Sequence, residues 1–254
     1  MISLRNAGVR FGDRWVFRDL GLDVRAGTSL AILGPNGRGK TTLIRALVGV
    51  QALSEGAREA PPLIGYVPQT GPAAPYGVLE MVVMGRAQAI GAFRSPARAD
   101  YEAARAALAM VGLSGLAARS YRTISGGERQ LVMLARALAT GADTIVLDEP
   151  ASALDLANQR RLLGIVNDLR AQGRHTIVFS THLPQHALIA ADATLLMMPA
   201  NASLSGPTSE VLSEDNLERV YRVPIRRIAI AGEDDAIVPV LGHTTVSRRS
   251  PLHV

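Results

Sequence analysis

The sequence predicts an α/β fold: a parallel-sheet core, an antiparallel β layer ahead of it, and an inserted α-helical subdomain. Three observations carry this. Thr144-Ile-Val-Leu147 and Thr176-Ile-Val-Phe179 are wholly apolar runs, as expected of parallel strands covered on both faces. Residues 1–26 instead alternate apolar and polar, as strands with one solvated face do. Between about Thr70 and Thr140 the apolar spacing becomes helical, which places a helical insert between strands.

The antiparallel layer comes first. Ile2, Leu4, Val9, Phe11, Trp15, Phe17, Leu20, Leu22 and Val24 supply its apolar positions, and Gly12-Asp13 breaks them like a hairpin turn. Ser29 to Leu33 is a buried strand, and Leu43 to Val48 is apolar and compatible with a helix. Leu63 to Val67 is a short strand ended by Pro68. Ala99 to Val111 has helical spacing at Tyr101, Ala104, Leu108 and Val111, and Gly112 stops it. Leu131 to Leu138 is a further helix. Helices around Leu156–Ala171 and Gln185–Ala191 alternate with the apolar strands. Ala193 to Met198 reads as a strand, Ser209–Val220 as a helix and Ser247–Val254 as loose chain. The expected organisation is a domain over residues 1–230, with its helical subdomain at about 70–140, and a partly flexible extension at 231–254.

Composition narrows the class. The 254 residues are enough for a sizeable core. Apolar residues make up 48% and mean hydropathy is +0.17, yet no apolar run reaches the ~18 residues that would span a bilayer. The longest nearly charge-free candidate, His175 to Ala191, contains Ser180, Thr181, His182, Pro184, Gln185 and His186. No positively charged start leads into an apolar stretch, so no secretory signal is expected. Cysteine is absent, which excludes disulfides and thiolate metal sites. These features fit a cytoplasmic location. The net charge of +5 is scattered, and aromatics at 4% are too few for a base-stacking surface, so no nucleic-acid partner is expected.

One basic residue stands apart. Of the 27 lysines and arginines, Lys40 alone is lysine. It closes the run Gly34, Pro35, Asn36, Gly37, Arg38, Gly39, Lys40, Thr41 and Thr42. Gly34, Gly39, Lys40 and Thr41 fit the spacing of a loop whose backbone N–H groups cradle phosphates. A compact ammonium reaches between phosphate oxygens where a wider, planar guanidinium would not fit. The loop lies between a strand and a helix, so a helix N-terminus points its unpaired N–H groups at the anion.

A pair of carboxylates, Asp148 and Glu149, follows the apolar strand at Thr144–Leu147. Ligands bind at the carboxyl ends of such strands. Asp148 can hold Mg²⁺ through a water, and Glu149 can polarise the water that attacks the γ-phosphate. Ser125, Gly126, Gly127 and Glu128 open the helix at Leu131, with Ser125 and Glu128 spaced as a capping box. The two glycines leave N–H groups accessible to a phosphate.

With these motifs in this order, the sequence resembles the ATP-hydrolysing subunits of ATP-binding-cassette (ABC) transporters over roughly residues 1–230. The resemblance implies a P-loop NTPase fold with a RecA-like parallel-sheet core, with ATP and Mg²⁺ as cofactors. Gly34 to Thr42 matches the phosphate loop, and Asp148-Glu149 resembles the magnesium-binding and catalytic pair. Ser125 to Glu128 looks like the signature segment, which in the family contacts nucleotide held by the opposite subunit. Gln69 looks like the glutamine that senses Mg²⁺ and the membrane subunit. Ser152-Ala-Leu-Asp155 resembles the loop that touches the partner subunit. His182 resembles the γ-phosphate histidine, and Phe11 the aromatic that stacks on adenine, with Trp15 as a rival. Arg38 and Ala151 depart from the commonest residues of the family at their positions. Val78 to Arg86, Phe93 to Pro96 and Ser152 to Gln159 are similar to importers of iron–siderophore, haem, cobalamin, metal or molybdate-type cargo. The implied assembly is a homodimer on the cytoplasmic face of the membrane, bound to integral permease subunits and served by a substrate-binding protein. The competing readings are a soluble cassette ATPase of DNA repair or translation and, more remotely, a P-loop kinase or GTPase.

Overall fold

Residues 1–71, 75–199, 202–232 and 234–242 are described by a computed structural model. Strands β1 (Ile2–Phe11) and β2 (Arg14–Val24) form the expected hairpin across Gly12-Asp13, with Phe11 facing Arg14 and Ile2 facing Val24. Ile2, Leu4, Val9, Phe17, Leu20, Leu22 and Val24 are buried, whereas Phe11 is exposed and Trp15 half-buried. β3 (Ser29–Leu33) is buried at every position and leads through the glycine loop into α1 (Lys40–Leu47).

β4 (Glu55–Glu59) has no counterpart in the sequence reading, because its polar side chains show no alternation. Its pairing with β1 makes it a strand, Ser3 facing Glu59 and Gly8 facing Glu55. Gly56 permits the close approach: its φ is +85°, and a Cβ there would collide with the Asn6 carbonyl oxygen. β5 (Gly65–Val67) follows.

The insert comprises α2 (Val78–Val83), α3 (Ala87–Ile90), α4 (Arg98–Met110) and α5 (Gly126–Ala139). α5 begins before the apolar run at Leu131, and a cap holds its first turn. Ser125 Oγ accepts the Glu128 N–H at 3.2 Å, and Glu128 Oε2 accepts the Ser125 N–H at 2.7 Å. Such a cap is worth ~1 kcal/mol.

β6 (Thr144–Leu147), α6 (Leu156–Ala171), β7 (Thr176–Thr181), α7 (Pro184–Ala190) and β8 (Ala193–Met197) follow the expected alternation. β9 (Ser203–Pro207) returns antiparallel on β8 and carries no apolar pattern. The single helix expected at 209–220 is in fact two, α8 (Thr208–Val211) and α9 (Glu214–Tyr221). Ser213 sets the break, its hydroxyl capping α9 by accepting the Asn216 N–H at 3.3 Å. β10 (Ile225–Ile228) and β11 (Ala236–Pro239) form a hairpin that crosses residue 230. The stretch Ser247–Val254 lies outside the described residues.

The main sheet runs β5-β6-β7-β3-β8-β9 and is parallel except at β9; β2-β1-β4 form the antiparallel layer. Strand alternation sorts the apolar residues between two cores. Ala31, Leu33, Ile145, Leu147, Ile177 and Phe179 join the helical insert, α6 and α7, while Leu30, Ile32, Val146 and Val178 join α1 and the antiparallel layer. Each fully buried Leu or Ile contributes roughly 1.5–3 kcal/mol. A one-residue slip would exchange the two sets, so two-sided burial specifies the register. Val67 is thereby level with Leu147, Leu147 with Phe179, and Leu33 with Thr181. The loops that follow these four strands therefore share one edge. Among the described residues no helix is long and apolar enough to cross a membrane.

Candidate functional site

The loop after β3 wraps back on itself and delivers Lys40 to this edge. Gly39 takes φ +89°, and a Cβ there would collide with Val16 of β2, so a glycine is required. Lys40 is buried, at 4% exposure. Its ammonium donates to the carbonyls of Gly34 at 2.9 Å and Pro35 at 3.1 Å. The third donor faces Glu149 Oε1 at 3.0 Å. All three N–H donors of the ammonium are thus used.

The loop after β6 supplies the two carboxylates, and they differ in setting. Asp148 Oδ1 accepts from Thr41 Oγ1 at 3.1 Å and from Ser180 Oγ at 2.8 Å. Its Oδ2 is buried without a partner among the described residues. Burial pushes the Asp148 carboxyl above the usual range, against the downward pull of the Ser180 and Thr41 bonds. A buried, unpartnered carboxylate oxygen beside a threonine hydroxyl is a hard-oxygen donor set, and it fits Mg²⁺. Glu149 sits in the left-handed region at φ +45°, a strain of order 1–3 kcal/mol for a non-glycine residue. Its N–H donates to Ser180 Oγ at 2.8 Å, and its carboxylate is held between Lys40 and His182.

β7 ends at Thr181 and presents His182. His182 Nδ1 lies 3.3 Å from Glu149 Oε2. An ionised carboxylate can only accept, so Nδ1 carries the proton and Nε2 faces away from Glu149. The Tyr221 hydroxyl of α9 donates to the His182 carbonyl at 2.8 Å. Burial, and then the Glu149 charge, push the Tyr221 phenol well above its usual range, so it stays a donor.

Beside these groups opens a cavity of about 600 Å³, lined by Phe11, Trp15, Val16, the loop from Asn36 to Thr42, Gln69 and Glu149. Arg38 also lines it. The Trp15 ring already carries two guanidinium groups, those of Arg10 and Arg18, at 5.4 and 4.8 Å from its centroid. Phe11 is 55% exposed and has no such engagement among the described residues.

Ser125, Gly126, Gly127, Glu128 and Asp155 do not line this cavity. Asn158 links the two segments. Asp155 caps α6, its Oδ1 accepting the Asn158 N–H at 2.8 Å. Asn158 packs so closely on Gly127 that any Cβ there would press on it. Hydrogen bonds from Ser125 hold the Glu128 carboxyl below its usual range. Ala151 is 3% exposed in the core, where a larger residue would have to displace its neighbours.

The model of a family described as ABC transporter matches residues 17–152. The chain belongs to the ABC transporter family. It is 40% identical over 227 residues to a molybdate import ATP-binding protein of Haemophilus influenzae, covering 88% of this chain and 89% of that protein. It is 36% identical over 231 residues to a hemin import ATP-binding protein of Streptomyces coelicolor, covering 85% and 81%. An ABC transporter described as of the metal-chelate type, in an inward-facing conformation, matches with TM-score 0.88 and 36% identity over 94% of this chain and 97% of that one. The expected P-loop NTPase fold of ABC ATPase cassettes is therefore present.

Four residues that bear on this site carry little or no signal in the sequence. Ser180 bridges Asp148 and the Glu149 backbone, and its only sequence signal is a hydroxyl at the end of an apolar strand. Tyr221 reaches His182 from 39 residues away, and no local pattern announces it. His186 and Gln159 bond each other at 3.3 Å.

Proposed function

We propose that this chain is the ATP-binding and ATP-hydrolysing subunit of an importer that works through separate membrane subunits. The observation that carries the reading is the Glu149 carboxylate held between Lys40 and His182, next to an Asp148 whose second oxygen has no partner.

ATP would lay its phosphates on the N–H groups of the loop from Gly34 to Thr42, with adenine against Phe11. The phosphate charge replaces Glu149 as the partner of Lys40. Glu149, so released, accepts a proton from the water that attacks the γ-phosphorus, and ADP leaves. His182 holds the carboxylate in place. Thr41, Asp148 and Gln69 would hold Mg²⁺, which when bound offsets the charge of the phosphate oxygens.

Ser125 to Glu128 and Asp155 serve a second copy. Two copies pair head to tail, so that each ATP lies between the phosphate loop of one and the Ser125–Glu128 segment of the other. A groove in the helical insert, at about residues 70–120, receives an integral permease subunit, which puts the chain peripherally on the cytoplasmic face of the membrane. The relatives named for molybdate and hemin import support cargo of that kind: an iron complex, a metal, or a siderophore, haem, cobalamin or molybdate-type compound, handed over by a substrate-binding protein. A soluble ATPase of DNA repair or translation draws no support from those names.

The test is turnover of ATP with Mg²⁺ by the purified chain, beside affinity capture from membranes. Turnover that Glu149→Gln abolishes, with capture of a multispanning protein, is the expected result. Capture of nucleic acid instead, or turnover indifferent to Glu149→Gln, would overturn it.

A further inference from the structure

His186 is buried on α7, at 7% exposure, and both its ring nitrogens are engaged. Nδ1 lies 3.2 Å from Thr181 Oγ1, and Nε2 lies 3.3 Å from Gln159 Oε1. The other end of the Gln159 amide is committed, because Nε2 donates to the Leu154 carbonyl at 2.9 Å. Only Oε1 is then left for the imidazole, so His186 Nε2 must carry the proton and Nδ1 must be the bare acceptor. The Thr181 hydroxyl therefore donates to Nδ1, while its oxygen accepts the Leu183 N–H at 3.1 Å. The Leu183 carbonyl, at 3.5 Å, is the more distant alternative for that hydroxyl.

Each donor in this chain points the same way: Leu183 N–H to Thr181, Thr181 to His186, His186 to Gln159, Gln159 to Leu154. Hydrogen bonds in such a series polarise one another. Its two ends are the informative part. Thr181 and Leu183 flank His182, and Leu154 precedes Asp155. The same loop is tied to the carboxylate residue at its start, where Ser152 Oγ donates to the Glu149 carbonyl at 3.1 Å. A core histidine that merely needs partners would not have to end in two separate loops of the site.

We infer that His186 and Gln159 are positioning residues, a relay that fixes the His182 loop relative to the Ser152–Asp155 loop and so sets the rate of hydrolysis. The inference rests on the ATPase reading above. Burial, and secondarily the nearby His182, push the His186 imidazole down to about 4, so the neutral tautomer that the relay needs is the one present near pH 7.

The test uses the full chain with His186→Ala, Gln159→Leu and the double variant. Each single change should lower kcat by about 5- to 10-fold, the scale of one lost buried hydrogen bond, and leave KM for ATP within about 2-fold. The double variant should lose no more than the worse single, because one break severs the whole relay. Losses that multiply in the double variant, or a shift confined to KM, would overturn the relay. ¹⁵N shifts of the wild-type imidazoles give a readout free of turnover and of variant folding: His186 protonated at Nε2 supports the relay, and protonated at Nδ1 refutes it. If the wild type does not hydrolyse ATP, the ATPase reading falls and the relay's control of rate falls with it. The tautomer then still decides whether the hydrogen-bonded chain exists.

Discussion

Lys40 Nζ and Glu149 Oε1 are 3.0 Å apart, and both side chains are more than nine-tenths buried. Each is the counter-charge of the other, so phosphate oxygens that take this donor of Lys40 must displace Glu149. Glu149→Gln should therefore have two effects. It removes the proposed base, which should lower turnover by about 10²- to 10⁴-fold. It also frees Lys40, which should tighten ATP binding by about 10-fold, or about 1.4 kcal/mol. Turnover and equilibrium nucleotide binding measured on the same preparation separate the two. Weaker ATP binding in the variant would refute the competition.

The same pair explains why arginine is absent at position 40. The ammonium meets two carbonyls and a carboxylate at 2.9 to 3.1 Å in a buried pocket. A planar guanidinium is too wide to face all three acceptors. Lys40→Arg should cut turnover at least about 100-fold while keeping the charge. A normal rate in that variant would show that charge alone suffices.

Much of this site is legible in the sequence because its residues are chemically singular. Lys40 is the only lysine, and Asp148-Glu149 ends an apolar run. The parallel strands are legible because burial on both faces leaves them wholly apolar, as at Thr144–Leu147. What is not legible is structure made by partners distant in the chain. β4 is polar and exists through backbone pairing to β1. Ser180 earns its place only when β7 lies beside β6, and Tyr221 only when α9 folds back on His182. None of these leaves a local period for a reader to find.

Gly39 tests how tightly the loop is built. Gly39→Ala places a Cβ in the left-handed region at φ +89° and against Val16. The backbone cost alone is about 1 kcal/mol, and the collision adds to it. ATP affinity and melting temperature should both fall. Val16→Ala in the same chain should recover the part due to collision and not the part due to backbone. Full recovery would mean that the left-handed turn costs nothing here.

Tyr221→Phe keeps the ring and removes only the hydroxyl that donates to the His182 carbonyl. A lost hydrogen bond to a part-buried carbonyl should cost about 1 kcal/mol of stability. Turnover should fall by about 2- to 5-fold, with ATP affinity unchanged, because the bond restrains the loop that carries His182. Denaturant titration and steady-state kinetics read these separately. Unchanged turnover at reduced stability would confine Tyr221 to a structural role.

His186 makes a prediction about stability and pH whose sign is fixed. Its ordinary value is 6.5, and burial lowers it to about 4 in the folded chain. Between these values the unfolded chain binds a proton that the folded chain refuses, so stability must rise with pH across that window. The contribution is intact above about 6.5, shrinks as pH falls, and is gone once pH passes through about 4. Its full size is roughly 3 kcal/mol, and about half of it should disappear between pH 6.5 and 5. His186→Gln has nothing to titrate there, while every carboxylate is common to both proteins and cancels in the comparison. Denaturant unfolding of both from pH 7.5 to 5 should show the wild type losing ground steadily relative to the variant. A difference that stays constant with pH would mean that His186 takes up its proton as freely in the folded chain as in the unfolded one.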